Sequence, residues 1–389
     1  MSLSNSNRVC LEIPQPLPAI TSIHATAGAR QRAQMNQQCL AAFLPWLETE
    51  FNLVAKVYPN AAALPSIWEV VNGTAITVAQ KRLVLIPTVA IAVDEMDVPQ
   101  EWVDIPTWAA DYYVAMQVDP EAQMVQILGY TTHQRLKATG EHGAGRNPAA
   151  WTRTYCLDID DLLHDISSLW LSLPFSPQAS LRAAVAPIPP LPQAQADNLL
   201  ARLGNPTAIF PRLAVPFAQW GALLAHGGWR QRLYERRQGW SDAGTVPQWI
   251  QSGLSGFARQ CGWERQEFFL AATGVRSLTT GVTRSLVIAG NAYNLRVFPV
   301  RRSHPSPEPP PLQTLWRVEL RSAMPDRLVP AGFTLRLLTE ALESMEHNED
   351  VATTDVEALY IDVALVPGEG LVWEVEPTPE DFEREILRF

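Results

Sequence analysis

Lysine is scarce in this 389-residue chain. Lys56, Lys81 and Lys137 are the only three among 30 basic residues, and none lies beyond position 137. Schiff-base and lysine general-base chemistry are therefore excluded from everything C-terminal to that point. An arginine bias of this kind reads as the composition of a GC-rich genome. Cysteine is sparse too: Cys10, Cys39, Cys156 and Cys261 are far apart and form no C-x-x-C pair. Scattered thiols predict a reducing compartment rather than a disulfide framework. Long apolar runs are missing. The longest, Leu83 to Val93, is broken by Pro87 and Thr88 and is too short to span a bilayer. The start, MSLSNSNRVCLEIPQPLP, has no charged stretch followed by an apolar one, which predicts no signal peptide. Together these features predict a soluble, cytoplasmic protein without a membrane partner.

Positive charge is missing altogether from residues 340–383, which hold fourteen acidic side chains and no Lys or Arg. Removing those fourteen from the 40 acidic residues leaves 26 against 30 basic ones, so the net charge of −10 originates in this one segment. Acidic runs of this density are usually solvated tails. Here, however, large apolar residues recur at every second position: Leu359, Ile361, Val363 and Leu365, then Leu371, Trp373 and Val375. A period of two is that of a half-buried strand. The segment is expected to form a sheet with a negative outer face. Bulk acidity argues against sequence-independent binding to nucleic-acid phosphates.

Hydrophobic residues make up 47 % of the chain and charged ones 18 %, a composition that favours a buried core in two or three domains. Residues 1–173 predict an N-terminal, β-rich α+β domain. An amphipathic helix is expected over 31–51, kinked or split by Pro45, and strands at 74–79, 82–93, 111–118 and 123–130. A small barrel or curled sheet would use these parts. A second helix is expected near Asp158, with Leu162, Leu163, Ile166, Leu169 and Trp170 on its apolar side. Residues 174–195 carry six prolines and read as a linker. Residues 196–281 read as a helical middle segment, with Gly204 as a C-cap. From 282 to 389 alternating patterns at 282–289, 292–300, 314–322, 332–339, 357–366, 370–376 and 382–388 predict an antiparallel β-sandwich. Trp316, Phe333, Ile361 and Trp373 fall on its inward phase. The proline-rich stretch from Pro299 to Pro311 is expected as a loop within it. The fold class is thus α+β.

Three blocks in the second half, PQWIQSGLSGFARQCGW, LVPAGFTLRLLTE and ALYIDVALVPGEGLVWEVE, occur in that order. Upstream, VPQEWVDIPTWAADYYVAMQV is followed by GYTTH. In these blocks the chain resembles the cyanobacterial family catalogued as domain of unknown function eighteen twenty-two. The resemblance covers most of the chain outside the linker and rests on Trp, Gly, Pro and aliphatic residues. It implies no catalytic residue. It does imply a gene neighbourhood of sigma factors and signalling proteins, which is an association rather than a mechanism.

Several constellations have a chemical and a structural reading. Asp158, Asp160, Asp161, His164 and Asp165 resemble a ligand set, but aspartates at a helix start are explained by capping. Gly253-Leu254-Ser255-Gly256-Phe257 lacks the last glycine of a nucleophile elbow and sits in a helical pattern. Gly140 to Gly145 has no strand-to-helix context for a phosphate cradle. His133 ends a strand with no nucleophile or carboxylate nominated beside it. Glu346, His347, Asn348, Glu349 and Asp350 lack the spacing of a calcium loop. No catalytic, cofactor-binding or metal-binding residue is nominated, and no cofactor is expected.

The remaining candidates are of one kind. Asp362, Glu369, Glu374 and Glu376 are expected on the outer face of the acidic sheet. Arg230, Arg232, Arg236 and Arg237 lie on one helix beside Trp229, Leu233 and Tyr234, a composition found at interfaces. Both sets are candidate partner-binding residues, and they are also candidates to pair with each other. The leading expectation is a non-enzymatic regulatory or interaction protein. Its partner would be a protein with a basic surface, such as a sigma factor or a signalling protein. The alternative is a hydrolase with a site between the N-terminal domain and the helical segment, recognisable by His133, His164 and carboxylates meeting in one pocket.

Overall fold

A computed structural model of the chain describes residues 9–17, 24–90, 92–142, 152–177, 180–240, 244–272, 275–300 and 313–389. They form two compact units. The first comprises residues 1–191, 196–226 and 236–238, and the second comprises 192–195, 227–235 and 239–389. This division differs from the expected one. Two of the helices after the proline-rich stretch, Gln193–Leu203 and Phe217–Ala225, fall mostly in the first unit, and the strands of the second begin before residue 282. Among the described residues, no helix is long and apolar enough to cross a membrane.

The first unit is built on a six-stranded sheet of β1 (Cys10–Glu12), β2 (Ala55–Tyr58), β3 (Thr74–Val78), β4 (Lys81–Thr88), β6 (Tyr112–Asp119) and β7 (Met124–Thr132). The spatial order is β1-β7-β6-β4-β3-β2. All pairings are antiparallel except β4 with β6. It is an open sheet rather than a barrel, because β1 and β2 end it unpaired with each other. A separate two-stranded ribbon joins β5 (Glu95–Pro99) to β8 (Thr154–Asp158).

Helix α1 (Ala27–Phe51) packs on this sheet through Cys39, Leu40, Phe43 and Leu47. Thr26 caps its start by accepting from Ala29 N at 3.2 Å, and Asn52 closes it in the left-handed region, each a favoured residue for its place. The helix runs unbroken through Pro45. Pro45 is exposed, so its ring faces solvent while the buried residues on either side hold the helix to the sheet. The other helices are α2 (Leu64–Trp68), α3 (Gln100–Asp104), α4 (His133–His142), α5 (Ile166–Ser172), α6 (Gln193–Leu203) and α7 (Phe217–Ala225). They are followed by α8 (Gly227–Arg237), α9 (Val246–Ser252) and α10 (Gly256–Gln260).

A bulge in β7 positions the segment before α5. The register of β6 on β7 shifts between Ala115 and Met116, leaving Leu128 unpaired. The Leu128 carbonyl instead accepts from His164 Nδ1 at 2.9 Å. Next to it Gly129 has φ +155°, and a Cβ there would lie 2.8 Å from Leu162 and 3.0 Å from the Leu163 carbonyl. Leu163 bonds Tyr130 in both directions, at 2.8 and 2.9 Å. The chain before α5 thus makes one 3-10 turn at Ile159–Asp161 and then bridges to β7, so no continuous helix runs on from Asp158. The helix starts at Ile166, with Asp165 as its N-cap.

The second unit is a sandwich of two antiparallel sheets. One has the order β15-β12-β11-β10-β9, the other β14-β13-β16-β17. The strands are β9 (Trp263–Ala272), β10 (Val275–Ile288), β11 (Asn291–Pro299), β12 (Thr314–Ser322), β13 (Thr334–Thr339), β14 (Ser344–Val351), β15 (Ala358–Leu365), β16 (Gly370–Glu376) and β17 (Ile386–Arg388). Trp316, Phe333, Ile361 and Trp373 all join its core, as their alternation predicts. Two strands escape sequence reading. β9 pairs with β10 over ten residue pairs inside the segment expected to be helical. β14 buries a single residue, Asn348, so it shows no apolar alternation. Residues 143–150 and 301–312, which include parts of the glycine-rich and second proline-rich stretches, lie outside the described residues.

Candidate docking surface

In the second unit, β14 and β15 are edge strands of opposite sheets. They lie against one another, and Tyr360 N donates to Asp350 Oδ2 at 2.8 Å. Charged side chains are what edge strands use to stay soluble, and both strands carry them. Glu346, Glu349 and Asp362 on the strands, and Glu343 and Glu357 beside them, form an acidic rim of exposed side chains.

The four nominated carboxylates occupy different settings. Asp362 takes a bidentate pair from Arg317 at 2.7 and 2.8 Å. Arg317 also lies 4.1 Å over the Tyr360 ring. Hydrogen bonding to Asp362 raises the Arg317 pKa. Glu374 pairs with Arg384 at 2.8 Å and with Arg336 at 3.8 Å. Arg336 also reaches Glu376 at 3.4 Å and Glu349 at 2.7 Å. Glu369, in the β15–β16 turn, is exposed and accepts from Val366 N at 2.7 Å. The outer face of the β14-β13-β16 sheet is thus a cross-strand network in which carboxylates outnumber guanidiniums. Glu343, Glu346 and Glu357 have no basic partner among the described residues.

The nominated arginines are mostly inside. In the second unit Arg230 pairs with Glu383, and Arg232 pairs with Glu340. Glu340 also accepts from Trp229 Nε1 at 3.2 Å and Arg388 at 2.7 Å. Arg230 is 1 % exposed and Arg232 is 8 %. In the first unit Arg237, 2 % exposed, bonds Glu69 at 2.9 Å and the Leu203 and Ala208 carbonyls at 3.1 Å. Arg236 is half-buried against Gly204. Glu340 and Glu383 belong to the acidic segment, so part of its charge is used within the unit. Asp362, Glu374 and Glu376 pair with Arg317, Arg336 and Arg384, three arginines on strands or beside them rather than on α8.

His133 and His164 have structural settings. His133 is fully buried; its Nδ1 accepts from Ala183 N at 3.1 Å, so Nε2 carries the proton and donates to the Val103 carbonyl at 3.0 Å. Burial lowers its pKa. A ring with both nitrogens committed has no lone pair to act as base. His164 is exposed, with Nδ1–H tied to the Leu128 carbonyl. Neither imidazole lines the pocket of about 130 Å³ bordered by Asn72, Pro87, Glu95, Asp97 and Met116. Ser255 is the N-cap of α10, accepting from Ala258 N at 3.1 Å. Asp165 caps α5.

One cluster has no trace in the sequence pattern. Ribbon pairing sets Asp97 opposite Cys156, and donor atoms of Glu95, Asp97 and Cys156 lie within 4.8 Å of one another, all exposed. Cys156 Sγ donates to Asp97 at 2.9 Å. Partial desolvation of the thiol and that bond push its pKa up to about 11, so at neutral pH the group is a protonated thiol and a poor nucleophile. The residues are far apart in sequence, and only strand pairing joins them.

Residues 22–388 match the family described as Protein of unknown function (DUF1822). The chain belongs to the DUF1822 family. No curated protein and no solved structure matches it. In this DUF1822 protein the blocks that carry the sequence resemblance are structural. The first forms α9, α10 and the start of β9, with a capping box between Thr245 and Gln248. Its Trp249 and Trp263 lie in the sandwich core. The third is the β15–turn–β16 unit, which contributes Ile361 and Trp373 to the same core.

Proposed function

We propose that this DUF1822 protein is a non-enzymatic, cytoplasmic regulatory or interaction protein that docks a basic partner on the acidic rim of its second unit. The observation that carries the reading is the set Glu343, Glu346 and Glu357, exposed on or beside two adjoining edge strands and without basic partners among the described residues. A one-sign rim raises the encounter rate with an oppositely charged protein more than it adds final affinity. The network around Arg336 and the Asp362–Arg317 pair would hold the rim in shape rather than contact the partner strongly. A cyanobacterial host and a sigma factor or signalling protein as partner follow from the sequence resemblance and fit the charge.

The test is capture from host lysate at low salt, followed by mass spectrometry. Wild type is compared with Glu343→Gln/Glu346→Gln/Glu357→Gln. The reading expects a basic protein retained by wild type and lost by the variant. Equal retention by both removes the rim from the account.

A further inference from the structure

β15 is an edge strand whose outward backbone is left open in the middle. In an antiparallel pair, a residue's N–H and C=O point together, and successive residues alternate between the partner strand and the outside. Two bonds fix the phase. Tyr360 N donates to Asp350 Oδ2 at 2.8 Å, and Val366 N, just past the strand, donates to Glu369 Oε2 at 2.7 Å. Both amides therefore point away from β12. On β12, the Leu315 carbonyl accepts from Val300 N at 2.9 Å, so Leu315 turns toward β11. Its register partner Ala364 must then turn outward, in agreement with the same phase. The outward positions are Tyr360, Asp362, Ala364 and Val366. Carboxylates cap the amides at both ends. Between them no hydrogen bond among the described residues takes up the N–H groups of Asp362 and Ala364.

The other sheet's edge is blunted where β15 is not. The register of β14 on β13 breaks between Arg336 and Leu338. His347 takes φ 52°, and Asn348 spends its amide on the Leu337 carbonyl at 2.7 Å. Bulges and irregularity of this kind protect an edge. β15 pairs with β12 in continuous register over its eight residues, without a bulge or proline. A regular edge with free amides is the template for strand addition.

We propose that β15 receives an extended, basic segment of the partner as an added strand. This deepens the docking reading and rests on it for the partner's charge. Asp362 is already matched by Arg317, so the attraction comes from exposed Glu357 before the strand and Glu369 beyond it. The same charges work against a second copy of the chain in this place, since paired β15 strands would bring their like-charged carboxylates together.

The test uses the full chain and a soluble peptide of alternating lysine and threonine, with a second peptide of equal charge interrupted by prolines. Wild type should bind the alternating peptide at least about tenfold more tightly, a difference of about 1.4 kcal/mol. Amide hydrogen exchange at Asp362 and Ala364 should slow on binding. Ala364→Pro removes an outward N–H and no ladder bond, a place where edge strands accept proline; it should remove the preference between the two peptides. If that variant unfolds, the exchange measurement on wild type still decides. Equal binding of both peptides, with no protection at Asp362 and Ala364, overturns strand addition. If Glu343→Gln/Glu346→Gln/Glu357→Gln still weakens that equal binding, the docking reading survives without the added strand. Protection that grows with protein concentration in the absence of peptide means self-pairing and overturns the basic-segment proposal. Binding of neither peptide overturns both.

Discussion

In the first unit the buried carboxylates Glu69, Glu101 and Asp111 each have a definite donor set. Glu69, 1 % exposed, accepts from Arg237, His24, Gln238 and Ala25 N at 2.9 to 3.3 Å. Burial alone would raise its pKa, but the hydrogen bonds and charges of His24 and Arg237 outweigh it, and the carboxyl is held below its ordinary value of 4.5. A depressed carboxyl pKa stabilises the fold above pH 4.5, and that stability is lost as pH falls from 4.5 through the lowered value. His133 acts in the same direction in a higher window. Its folded pKa is below 6.5, so the unfolded chain binds the proton first and stability declines as pH drops from 6.5. Urea unfolding midpoints should fall between pH 7 and the folded pKa, and His133→Gln should flatten that slope. An unchanged slope contradicts the neutral, doubly bonded ring. Glu69→Gln leaves the Arg237 guanidinium buried without its counter-charge and should cost about 3–5 kcal/mol, read by the same assay. At Cys156, alkylation by iodoacetamide should be slow at neutral pH and rise toward pH 11. Asp97→Asn should accelerate it, because the carboxylate that holds the proton is gone.

At the scale of elements, alternation was the legible signal and pairing was not. Strands β3, β4, β6, β7, β10–β13, β15 and β16 follow apolar runs or apolar phases of their segments, because each has a core side. β14 was hidden, because an edge strand with one buried residue owes its existence to hydrogen bonds with β13. The α5 boundary departs from the apolar pattern for a related reason. Leu162 and Leu163 look like the apolar side of a helix, yet Leu163 is bonded to Tyr130 across the bulge. The ion pairs Arg212–Glu101, Arg182–Asp111 and Arg237–Glu69 join residues far apart in the chain, and no local pattern announces them. Of the candidate surface, its sign was legible from the missing basic residues, and its shape was not, since Arg317, Arg336 and Arg384 lie outside the acidic stretch or at its end. Trp373 is fully buried and donates to Glu385 at 2.9 Å. Trp373→Ala should cost about 3–5 kcal/mol, measured as unfolding free energy of the full chain. In the proline-rich stretch, Arg182 grips Asp111 at 2.8 Å and Leu181 and Leu191 are buried. Limited proteolysis should therefore cut first between 184 and 190, where the chain runs mostly exposed between those anchors. A first cut within β10–β17 contradicts it.

Across the protein, we propose that part of the net charge of −10 is available to a partner on the rim of β14 and β15. Internal pairing does consume a share: Glu340 and Glu383 are engaged by α8, and Asp362 by Arg317. Attraction by the exposed charges that remain is screened over about 8 Å at physiological salt. The most direct measurement is the association rate of the full chain with the alternating lysine–threonine peptide, followed by stopped flow over a salt series. The rate should fall steeply with ionic strength for wild type, with a shallower dependence and slower association at low salt for Glu343→Gln/Glu346→Gln/Glu357→Gln. Coincident curves for the two proteins would contradict it.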